Sequence, residues 1–181
     1  MNSNQKSVSP IPQHPSPISD LQSHNSFWEL AVILIAALVR FWRLNYHSIW
    51  FDEAVSLNWA QRPIGEIWSP LLTFVPDKHP PLYYVLLHGW MKLLGLLGLA
   101  ENDIALRSLG ALIGVLTVWG VLRLCLWTTK RNVALLTSTL VALSPLMVWY
   151  SQEVRMFQVA SAAGIWAAYF LLRAWYGSTT G

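Results

Sequence analysis

Four places along the 181-residue chain carry side chains able to do chemistry. Asp52 and Glu53 stand side by side in SIWFDEAVS, Lys78 and His79 open KHPPLYY, Arg107 lies in ALRSLG, and Glu153 and Arg155 fall within YSQEVR. Each borders an apolar segment, the depth at which a membrane chain meets a substrate at headgroup level. A carboxylate there can act as general base on an acceptor hydroxyl, while cations stabilise a departing phosphate. A phosphate ester leaves as a stable anion, so no general acid is needed at the leaving oxygen and one carboxylate suffices.

Taken singly, every one of these groups also has a structural reading. Acids favour the first turn of a helix, and the two prolines of KHPPL make a rigid helix start. Arg107 and Arg155 fit as arginines reaching for lipid headgroups. Glu153 fits as a partner for Arg155 or as a solvated side chain. Taken together, two acids, a histidine and two arginines at one membrane face are what transfer from a lipid-phosphate donor requires.

The elements that must position these groups are apolar. Hydrophobic residues make up 54% of the chain and charged residues 12%, about half the charged fraction of a soluble domain. The length allows four or five spans of about 20 residues but no large extramembrane domain as well. The single cysteine, Cys125, excludes an intrachain disulfide and a thiolate metal cluster. A net charge of +3 with scattered Lys and Arg argues against a nucleic-acid partner.

Residues 1–26 are rich in Ser, Pro, Asn and Gln and are expected to be a disordered tail; the apolar run begins too late for a cleaved signal peptide. FWELAVILIAALVRFWRL is expected to be the first span, with Trp28 and Trp42 at its interfaces and Arg40 and Arg43 reaching toward headgroups. A long connection, Asn45 to His79, follows. Trp50, Ala54 and Leu57 recur at helical spacing within it, and IGEIWSPLLTF is a second amphipathic piece, so the connection is expected to hug the membrane surface. Three later segments, starting near Ile104, Val133 and Met156, are long enough to span. PLYYVLLHGWMKLLGLLGLA contains His88 and Lys92 and either spans or tucks under the loop. If it spans, Asp52 and Glu53 lie on the face opposite Arg107 and SQEVR; if it does not, all share one face. The Gly110 to Gly114 spacing points to helix packing.

The order IWFDEAVS, HPPLYYVLLHGW, ALRSLGALIGVLTV, ALSPLMVWYSQEVRMF resembles the N-terminal part of the polytopic GT-C glycosyltransferases, which include protein O-mannosyltransferases and bacterial aminoarabinose transferases. The resemblance covers roughly Phe27 to Tyr176 and implies a multi-span enzyme that uses a polyprenyl-phosphate sugar donor, works on the extracytoplasmic face and inverts the anomeric carbon. By position, Asp52 would be the general base and Glu53 would orient the acceptor or base. Lys78, His79, Arg107 and Arg155 would contact the donor phosphate, and Glu153 would be a second acidic group. A divalent metal is open, as are the sugar and the hydroxyl acceptor. Family members are longer, so residues 27–181 are expected to be an N-terminal module. The expected fold is an all-α integral membrane protein, a multi-span helical bundle with amphipathic juxtamembrane helices in the first extracytoplasmic loop. The competing expectation is a non-enzymatic membrane protein, such as a transporter component with a helix broken at Pro145.

Overall fold

The computed structural model describes residues 26–68 and 81–177, and these are helical and connecting segments with no strand. Eight helices run among the described residues: α1 (Phe27–Phe41), α2 (Phe51–Gln61), α3 (Ile64–Trp68), α4 (Pro81–Leu96), α5 (Asp103–Thr128), α6 (Arg131–Leu143), α7 (Pro145–Ser151) and α8 (Phe157–Gly177). The Ser- and Pro-rich tail to Asn25 and the stretch from 69 to 80, which holds Lys78 and His79, lie outside the described residues.

Helix α5 is the axis. Asn102 caps it by accepting the Ala105 N–H, at 3.1 Å, and α1, α6, α7 and α8 all pack against it. It is long and apolar enough to cross a membrane; 26 residues reach about 39 Å at the helical rise. Helices α6 and α7 pass the same test only as a pair bent by 57°. Helix α1 is 15 residues long, about 22 Å, which is shorter than the span the sequence implies. Its outward face nevertheless carries Leu30, Leu34 and Leu38, matched by Leu136, Leu140 and Leu143 on α6. Such continuous exposed apolar stripes suit lipid or another apolar partner.

Pro145 causes the bend. It has no N–H to offer Val141 and cannot continue α6, so the chain extends at Ser144 and restarts with proline in the first turn of α7. The carbonyls freed at the break are taken by Arg40: Nη1 donates to Ala142 O at 3.0 Å and Nη2 to Val141 O at 3.4 Å. Arg40 is thus buried, 1% exposed, rather than reaching for headgroups. Gly114 makes room for it, because a Cβ there would meet Arg40 Nε at 2.7 Å.

The long connection behaves differently from the bundle. Helix α4 starts at Pro81 and packs on α2 and α3. His88 Nδ1 lies 2.7 Å from the Ala60 carbonyl at the end of α2, and the Trp90 indole donates to Ala105 O at 2.9 Å. Its buried residues Tyr83, Tyr84, Leu87 and Leu94 join Ala60, Ile67, Leu106 and Val154 in a core distinct from the Val32, Ala36, Val118, Ala142 core of the bundle. The His88 segment is therefore part of a cap over one end of α5.

Candidate functional site

The cap and the bundle meet at Glu53. Glu53 is the third residue of α2, where its carboxylate reaches back to the Trp50 N–H at 3.4 Å. The same carboxylate points inward, wholly buried, and meets Arg107 side-on: Nε donates to Oε1 at 2.9 Å and Nη2 to Oε2 at 2.6 Å. The Val154 N–H donates to Oε1 at 2.9 Å. Each carboxylate oxygen therefore accepts two bonds, its full capacity.

Arg107 is equally saturated. Nη1 donates to Leu44 O at 2.8 Å and His47 O at 2.6 Å, and Nη2 also donates to Ser48 O at 3.2 Å. With the two bonds to Glu53, all five N–H groups are in use. The pair joins the end of α1, the start of α2, the first turns of α5 and the α7–α8 connection. In this arrangement neither side chain offers an open lone pair or donor to a substrate, and both act by fixing what surrounds them.

What they fix is Asp52 and Arg155. Asp52 lies one residue before Glu53 and faces the other way, with a side chain 39% exposed. Its Oδ2 is 3.2 Å from Arg155 Nη1, and its carbonyl accepts the Ser56 hydroxyl at 3.0 Å. Arg155 follows Val154, whose N–H is held by Glu53, so one anchor sets both ends of the Asp52–Arg155 pair. The guanidinium also lies over Phe157, 4.8 Å from the ring centroid, and near Trp50 at 5.6 Å. The two charges open into a cleft of about 300 Å³ walled by Phe51, Val55, Tyr83, Tyr84 and Met156.

Glu153 turns away from this cleft into a larger pocket of about 660 Å³ on the other side of Trp50, between the end of α1 and α7. It is 8% exposed, and burial pushes its carboxyl above the ordinary value, against the Trp149 indole bond and the Arg155 charge. Oε2 has no hydrogen-bond partner.

The structure thus brings Asp52, Glu53, Arg107, Glu153 and Arg155 to one end of α5. Lys78 and His79 fall outside the described residues. Among the described residues no three His, Cys, Asp or Glu side chains converge as metal ligands. Sequence reasoning missed Gln152, whose amide donates to the carbonyls of Val39, Arg40 and Trp42 at 3.3, 3.2 and 2.9 Å and so caps α1. It also missed Gln158, which holds Met147 O at 2.9 Å. The signal for both was present: an unusually polar SQEVRMFQ run directly after a proline-broken apolar helix. No protein-family model, curated protein or solved structure matches the chain.

Proposed function

We propose that the protein is a multi-pass membrane glycosyltransferase module, moving a sugar from a polyprenyl-phosphate donor to a hydroxyl acceptor with inversion. The observation that carries the reading is the Asp52–Arg155 pair, 3.2 Å apart in an open cleft and held from behind by a saturated Glu53–Arg107 bracket. Asp52 takes the acceptor hydroxyl proton as the acceptor oxygen bonds to the anomeric carbon. The bond from that carbon to the phosphate oxygen breaks on the opposite face, and its electron pair leaves with the polyprenyl phosphate. Arg155, the cation beside the cleft, stabilises that phosphate. Glu53 and Arg107 act as positioning residues. A metal is not required by this scheme, and His79 and Lys78 stand as further candidates for phosphate contact.

In this reading α5 and the bent α6–α7 pair cross the membrane, α1 and α8 pack against α5 beside them, and the cap lies on the extracytoplasmic side. The alternative of a transport pathway through the broken helix is less well supported, because Arg40 occupies the carbonyls that a broken helix would offer a ligand.

The test is transfer of labelled sugar from polyprenyl phosphate in membranes containing the protein. Asp52→Asn should lower the rate by about 10² to 10⁴, the range of a general base, with insertion and abundance unchanged. A normally inserted Asp52→Asn protein that transfers at the wild-type rate removes Asp52 from the mechanism.

A further inference from the structure

The 660 Å³ pocket beside Glu153 lies apart from the Asp52 cleft, and it holds two charged groups that the proposed transfer does not use. One is Glu153 itself, more than nine-tenths buried, with Oε2 lacking any donor. The other is Arg43, exposed at the rim, its guanidinium 4.0 Å from the centroid of the Tyr46 ring. Arg43 has φ +58°, a left-handed conformation that a side chain-bearing residue adopts at a cost. The turn is closed by the Tyr46 N–H donating to Arg43 O at 3.0 Å, and both residues line the pocket. The pocket's remaining charges, Glu53 and Arg107, neutralise each other.

The unmatched requirements are therefore one buried anionic acceptor and one exposed cation, in a pocket also lined by the aromatic rings of Trp42, Tyr46, Trp50 and Trp149. An ammonium group satisfies the first, with N–H bonds to Oε2 and the ring faces around it. A phosphate satisfies the second. The pocket is within the size range of small-molecule sites. Its Val39 and Trp42 wall continues along α1 to exposed Leu38 and Leu34, and its Trp149 wall continues along α7 to exposed Leu146. Those outward faces offer a path for hydrocarbon tails.

The geometry points to a binding site for a zwitterionic aminophospholipid, the ammonium on Glu153 and the phosphate on Arg43, with the acyl chains along α1 and α7. The site does not depend on the assignment of Asp52. It rests only on the chain lying in a membrane.

Lipid retention on the delipidated full chain, read by native mass spectrometry, tests it with three probes. Phosphatidylethanolamine carries N–H donors and a cation, phosphatidylcholine a cation without N–H, and phosphatidylglycerol hydroxyls without a cation. The expected result is at least about tenfold preference for phosphatidylethanolamine over both others, the low end of one charge-assisted hydrogen bond. Glu153→Gln should erase its preference over phosphatidylglycerol, and Arg43→Ala should lower retention of all three phosphatides alike. Equal retention of the three lipids, a lead for phosphatidylcholine or phosphatidylglycerol, or an unchanged preference in Glu153→Gln overturns the assignment.

Discussion

Arg107 and Glu53 show how adjacent acids acquire different work. One position apart on α2, Asp52 and Glu53 face opposite ways; Glu53 is sealed with every lone pair used, while Asp52 keeps an exposed carboxylate beside Arg155. Removing one partner of such a buried pair leaves an uncompensated charge, a loss of about 3–5 kcal/mol. Arg107→Lys keeps the charge but has three donors for five acceptor contacts, so its thermal midpoint should fall sharply and its cap should open to proteolysis first; a midpoint within a degree of wild type contradicts the bracket. Glu153 behaves in the opposite sense. Its carboxyl holds a proton more tightly when folded than when unfolded, so that contribution to stability is full below the ordinary value of 4.5 and fades as pH rises through the raised one. Glu153→Gln, which does not titrate, should therefore gain on the wild type between mildly acid and neutral pH and show no such gain below about pH 4. Thermal melts across that range check it, and a gain that grows on acidification contradicts the burial argument.

At the scale of elements, glycines on α5 decide how closely the broken α6–α7 arm and the polar run after it approach. A Cβ on Gly110 would lie 2.7 Å from the Ser151 carbonyl oxygen and 3.1 Å from that of Glu153, both backbone atoms that cannot swing aside. Gly164 on α8 has open space at the same position. Gly110→Ala should lower the thermal midpoint and loosen the Val154–Glu53 bond, whereas Gly164→Ala should raise stability by about 1 kcal/mol through helix propensity alone. Equal effects from the two substitutions would show that the α5 face has slack. This packing was partly legible in sequence: the Gly110–Gly114 spacing marked a close helix contact, Pro145 marked a break, and Asp52, Arg107 and YSQEVR marked the site. The roles within the site were not legible. The side to which each acid points depends on the phase of α2 against α5. Arg40 looks like an interfacial arginine until the α6 break that it fills is placed beside it. The inward face of α2, formed by Glu53, Ser56 and Ala60, is set by a tertiary ion pair rather than by the apolar repeat of Trp50, Ala54 and Leu57.

For the whole molecule, the ends of the helices define two poles. Glu29 near the start of α1 meets Arg131 at the start of α6 at 3.4 Å, so those ends lie together near the end of α5. The end of α1, the break after α6, the start of α5 and the capping helices α2 to α4 lie at the other pole, around Glu53. If α5 crosses a bilayer, Asp52, Glu53, Arg107, Glu153 and Arg155 sit on one side and the α5–α6 turn on the other. Cysteine labelling of intact cells, in a Cys125→Ala background, tests this with single substitutions at exposed Asn58 and Glu101 at the cap pole and exposed Asn132 at the turn. The expected outcome is that an impermeant maleimide labels Asn58→Cys and Glu101→Cys together, while Asn132→Cys labels only after permeabilisation. Labelling of all three from one side would mean that α5 does not cross, and the polyprenyl-phosphate reading would lose the depth at which its donor must be held. Labelling of Asn58→Cys and Glu101→Cys from opposite sides would separate the cap from the start of α5, which the His88 and Trp90 bonds forbid.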